Sequence, residues 1–193
     1  MSLVLVTAPT TEPATLTEAK SHLRVTTTDE DTYITSLITA ARGIAESFLN
    51  RALLAQTWDW QLGGFRPCLE VPHAPLSSVT YIKYIDGTGV LQTLAVSEYE
   101  VVDAGSTSGP GRIVPAYGKS WPAVRGLPND VTVRFVAGYG ASADTVPAPI
   151  KWAVLLILAE LYARRESALV GAPIVSVPYS AEALLLPYVL HGF

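Results

Sequence analysis

The chain has 193 residues, of which 49% are apolar and only 16% charged, with a formal net charge of -4. That length suits one elaborated domain or two small ones and is enough to bury a core. With no basic excess, sequence-specific duplex binding is excluded as a leading function, and the low charge predicts apolar surface covered by another subunit.

Cys68 is the only cysteine, so no intrachain disulfide is expected. Met1–Val6 is apolar, but no cationic segment precedes it, so no secretory leader is expected. The most apolar run, Trp152–Ala159, falls short of the roughly 20 residues that a membrane span needs. A soluble chain without a membrane partner follows as the expectation.

Residues 1–14 read as an extended N-terminal arm ending in a Pro/Thr-rich linker. Thr15 with Glu18 three positions on forms a capping box, and Leu16, Ala19 and Leu23 give a short helix. A second helix is predicted from Thr28 or Asp29. Asp29, Glu30 and Asp31 would lie in its first turn, where the dipole favours negative charge. Ile34, Leu37, Ile38, Ala41, Ala45, Phe48 and Leu49 mark one face of it.

From Leu54 the period changes to two. Gln56, Trp58 and Trp60 alternate with Thr57, Asp59 and Gln61, which predicts a strand. Val79–Ile85 and Val90–Leu94 flank Asp86-Gly87 as a hairpin, and Tyr99–Val102, Arg112–Val114 and Val131–Val136 are further strands. Prolines punctuate the gaps, as expected of a small antiparallel sheet or barrel-like module.

Pro147 and Pro149 open a third helix over Ile150–Arg165. Ile150, Ala153, Val154, Ile157, Leu158 and Leu161 form one face, and Trp152, Leu155, Leu156 and Ala159 carry apolarity around the cylinder. Such a helix is buried on most sides or shared with a neighbour. A short helix over Ser180–Leu186 and an apolar end, YVLHGF, close the chain. The fold class is therefore α+β: a helical bundle of residues 15–53 and 147–167, an antiparallel β-module inserted at 54–146, and an extended C-terminal tail at 168–193.

No constellation for chemistry assembles. His22, His73 and His191 lack further ligands at metal spacing, so no metal or cofactor is expected. Gly105-Ser106-Thr107-Ser108-Gly109 lacks a nucleophile-elbow spacing, and the Gly87/Gly89 and Gly138/Gly140 pairs lack the rest of a phosphate loop. The chain is expected not to be an enzyme. Trp58 and Trp60 share one strand face. They read as core residues, the alternative being an exposed platform in a carbohydrate- or protein-binding module of a tail or baseplate component.

One ordered series covers nearly the whole chain: TLTEAKSHLRV, the acidic DED, NRALLAQTWDW, PLSSVTYIKYID-G, GRIVPAYGKSWPAVR, VTVRFVAGYG and VPAPIKWAVLLILAELYARRE. That succession resembles the head–tail connector (adaptor) proteins of long-tailed phages and gene transfer agents. The resemblance implies a structural protein of the virion neck, made in the bacterial cytoplasm. It implies a ring of twelve copies beneath the portal protein, with duplex DNA passing through the lumen without specific binding and a tail-side stopper or head-completion protein below. It also implies that at least part of the apolar tail docks on the portal, the alternative being that the tail folds back over the chain's own helices. The candidates are Ile174, Val175, Val177, Leu184, Leu185, Leu186, Tyr188, Val189, Leu190 and Phe193. Ile34, Leu37, Ile38, Phe48, Trp152, Leu155 and Leu156 are candidates for core or subunit contacts.

Overall fold

The computed structural model describes residues 1–164 and 177–190. The chain divides into two compact units, one of Met1–Pro9 with Ala55–Tyr139, the other of Thr10–Leu54 with Gly140–Phe193. Antiparallel sheets make up the first unit and helices the second, so the class is α+β.

Eight strands build the first unit: β1 (Ser2–Thr7), β2 (Gln56–Leu62), β3 (Leu69–Glu70), β4 (Leu76–Ile85), β5 (Leu91–Thr93), β6 (Tyr99–Val102), β7 (Arg112–Pro115) and β8 (Val131–Ala137). Five of them form one sheet in the order β1-β2-β8-β4-β5, and β3-β7-β6 form a smaller one. The register places Trp60 opposite Val133 and Trp58 opposite Phe135. Because side chains alternate along a strand, Trp60, Leu62, Val131, Val133, Phe135 and Ala137 share one face, and all six are buried. The other face carries the Asp59–Arg134 pair, with two hydrogen bonds of 2.7 and 2.6 Å. The small sheet is tied to β4 by the Gly105 N–H, which donates to the Leu76 carbonyl at 2.7 Å.

Two strands were not legible as strands. The expected N-terminal arm is the edge strand β1, paired with β2, and β3 is only two residues long. The Asp-Gly hairpin has a longer loop than two residues. Asp86 Oδ1 accepts from the backbone N–H of Thr88 and Val90, at 2.9 and 3.0 Å. The glycine that must take positive φ is Gly89, at 86°, rather than Gly87.

The second unit holds α1 (Leu16–Leu23), α2 (Asp31–Leu49), α3 (Ala148–Ala163) and α4 (Tyr179–Leu185). α3 packs on α1, α2 and α4. The capping box at Thr15 and Glu18 forms as expected. α2 begins later than its acids suggested: Glu30 is the N-cap, so only Asp31 lies in the first turn. Two of these acids serve tertiary contacts instead. Asp31 accepts from Lys20 Nζ at 2.5 Å, and Glu30 accepts from the Tyr162 hydroxyl. Ile34, Ile38, Ala41, Ala45 and Leu49 are buried at helical spacing. Asn50 ends α2 in the left-handed region, φ 53°, which its short polar side chain tolerates. The linker before α1 is anchored too. Glu12 accepts from Arg42 Nε and from the Thr39 hydroxyl, each at 2.8 Å.

Candidate functional site

Among the described residues no group of three or more His, Cys, Asp or Glu is placed to hold a metal ion, and no helix is long and apolar enough to cross a membrane. The features that remain are surfaces.

The tail candidates divide by burial. Leu185 is wholly buried and Leu190 is 9% exposed, while the Leu190 N–H donates to the Leu49 carbonyl at 3.0 Å. The Tyr188 carbonyl accepts from Arg51 Nε at 2.5 Å. These residues hold α4 and the turn after it onto α2 and α3. Leu185 and Leu190 therefore pack in the core of the helical unit, in keeping with the fold-back alternative for this part of the tail. The reason is physical: a helix carrying Ala181 and Leu185 on one side lowers its free energy by packing on the apolar α3. Leu184, Tyr188, Val189 and Val177 are half-buried, and Leu186 is 53% exposed. Ile174, Val175 and Phe193 lie outside the described residues.

The core or contact candidates divide likewise. Ile34 and Ile38 are core, Leu37, Phe48 and Leu156 are half-buried, and Leu155 is almost covered. Trp152 is the exception: it lies on the most apolar helix yet is 56% exposed. The indole stands edge-on to His22 of α1, with ring centroids 6.1 Å apart. Both rings line a groove of about 710 Å³ between α1 and α3, together with Ser21, Ala148 and Leu155. Glu18 and Lys151 also line it and pair with one another at 3.6 Å. Thr15 holds Glu18 through its backbone N–H and then through its hydroxyl, and these bonds lower the carboxyl pKa. The groove thus has an ionised but paired rim residue and an apolar interior. Sequence reasoning could not find it, because it exists only where two helices distant in the chain meet.

Trp58 and Trp60 do not form a platform. Trp60 is 3% exposed, and Trp58 is half-buried with its ring 4.7 Å from that of His73. Burial lowers the pKa of His73, so the imidazole beside Trp58 stays neutral more readily than a free one. A carbohydrate-stacking face on β2 is therefore not present.

Antiparallel sheets in one unit and helices in the other are the features that the comparisons with known proteins can be set against. Residues 13–86 match the family of phage gp6-like head-tail connector proteins. Over the whole chain the fold is similar to solved chains of gene transfer agent particles. One, from the neck of an empty particle computed with C6 symmetry, has a TM-score of 0.80 at 27% identity, covering 100% of this chain and 97% of that one. Another, from the virion of a native particle, has a TM-score of 0.79 at 26% identity with the same coverage. A third, from the neck of a native particle computed with C12 symmetry, has a TM-score of 0.75 at 26% identity, again with 100% and 97% covered. No curated protein sequence matches the chain.

Proposed function

We propose that this protein is the head–tail adaptor of a phage-like particle: copies form a ring beneath the portal, DNA passes through the lumen, and tail-side neck proteins assemble on its far surface. It is a structural protein of the virion neck and not an enzyme. The observation that carries this reading is the end-to-end similarity to a neck chain of a gene transfer agent particle, at 27% identity. Closed rings need heterologous contacts, and the uneven exposure of apolar residues over this chain suits such contacts.

Portal docking is assigned to the last described turn, where Leu186 is 53% exposed and Tyr188 and Val189 are half-buried, with the half-buried Val177 ahead of α4 as a further candidate. Ile174, Val175 and Phe193 extend the docking segment in sequence. The test uses heads made without this chain. Purified protein added to such heads is expected to bind at the portal vertex and to restore tail joining. Binding elsewhere on the particle, or none, defeats the adaptor reading.

A further inference from the structure

The groove between α1 and α3 presents an exposed indole and little charge to select an ionic ligand. Trp152 is held from one side by His22 and open on the other, and the two charged lining residues, Glu18 and Lys151, already neutralise one another. Exposed tryptophan in a shaped depression is the kind of side chain that anchors protein contacts. An occupant without charge fits it, since an ionic one would lose its hydration there without gaining a free partner.

The chain itself carries such a segment. Val90, Leu91 and Val96 are 54%, 62% and 74% exposed within seven residues, and no charged residue lies between Asp86 and Glu98. The similar chains come from necks computed with C6 and C12 symmetry, so copies of one chain repeat about an axis. Neighbours about such an axis meet through two different surfaces, one acting as socket and one as plug. Direct continuation of the five-stranded sheet from copy to copy fits less well. Adjacent strands twist by about 20–25°, so β1 and β5 of one sheet diverge by roughly 80–100°. Neighbours in a twelve-fold ring are related by a rotation of only about 30°.

We propose that the α1–α3 groove receives the Val90–Val96 stretch of a second copy, with Trp152 as the anchor of that head-to-tail contact. The assignment rests on the adaptor reading and gives the ring its two complementary surfaces.

The test places a photo-crosslinking residue, p-benzoylphenylalanine, at Trp152 of the full chain, joined to adaptor-free heads and irradiated. The expected product is a covalent dimer of this chain, the adduct mapping to the tryptic peptide that spans residues 84–112. The reciprocal probe at Leu91 is expected to label α1 or α3. Trp152→Lys, which alters an exposed side chain and so keeps the helical circular dichroism, is expected to lower head joining at least tenfold. An adduct to another segment, to another protein of the particle, or none from chains that do join heads overturns this contact while leaving the adaptor reading intact. If unsubstituted protein does not join heads, the adaptor reading falls and takes the contact with it.

Discussion

Glu18 shares three hydrogen bonds with Thr15 within one helical turn. Its carboxylate accepts from the Thr15 N–H at 2.7 Å and from the Thr15 hydroxyl at 2.9 Å, while the Glu18 N–H donates back to Thr15 Oγ1 at 3.2 Å. The box satisfies two backbone donors that the helix start would otherwise leave unpaired. Thr15→Ala is expected to cost about 1 kcal/mol in urea unfolding at neutral pH. Because these bonds hold the folded carboxyl below its ordinary pKa, their contribution is complete above the unfolded value and lost as pH falls through the folded one. Thr15→Ala keeps the backbone N–H and removes only the hydroxyl's share of that lowering, so its deficit should shrink in part as pH is lowered through about 4 and below, while the part owed to the Glu18 N–H bond to Thr15 Oγ1 persists. A deficit that stays constant down to acid pH would contradict the assignment.

Gly111 poses a different constraint. It is buried at the start of β7, and a Cβ there would overlap the Leu76 side chain, including its Cβ at 2.5 Å. The two sheets of the first unit approach closely at this point. Gly111→Ala is expected to destabilise by about 1–3 kcal/mol through overpacking, read as a lower melting temperature. Little in the sequence marks this glycine, since the loop around it is rich in Gly, Ser and Pro for ordinary turn reasons.

Elements with a strong period were legible because one surface of each is buried along its whole length. β2 and β8 read correctly from alternation, since their buried faces meet in register over seven pairs. β1 did not, because it is an edge strand whose Val4, Leu5 and Val6 are 47%, 44% and 42% exposed, so no alternation records its pairing. α4 shows the same limit from the other side. The leucines at its end and just after it looked equivalent in sequence, yet Leu185 is fully buried while Leu186 is 53% exposed. Leu185→Ala is expected to cost about 2–5 kcal/mol as a core truncation. Leu186→Ala should change stability by no more than about 0.5 kcal/mol. Equal, small effects of both on urea unfolding would show that α4 is not part of the core. Leu186→Ala should also weaken joining to portal-containing heads without changing the melt, which separates docking from folding.

For the whole molecule, the proposed adaptor role can be tested through charge: with a net charge of -4, the proposed lumen would let phosphate slide rather than grip it. Isolated protein at physiological salt is expected to bind duplex DNA weakly and without sequence preference. A submicromolar affinity with a steep salt slope, measured by fluorescence anisotropy, would be incompatible with that lumen. Circular dichroism should show helix and strand together, because the described residues contain both a five-stranded sheet and two helices of 16 or more residues.

The sequence by itself determined what depends on neighbours along the chain. Thr15 and Glu18 cap α1 because they are three residues apart, α2 buries Ile34 through Leu49 because the spacing follows the helical period, and Tyr99–Val102 is extended as its residue types favour. Only the tertiary structure decided which apolar side chains are spent on the core. Trp152 sits among the most apolar residues of the chain and is left open, whereas Leu185 and Leu190, in a segment that read as a docking tail, are covered by the chain's own helices. Helical spacing marked the face of α3 that carries Ile150, Ala153, Val154, Ile157 and Leu158, all buried, but it grouped Trp152 with Leu155 on the remaining apolar surface and did not separate the open residue from the covered one. That choice is made by where α1 and α4 settle against α3, through tertiary contacts that the helix's own sequence does not record.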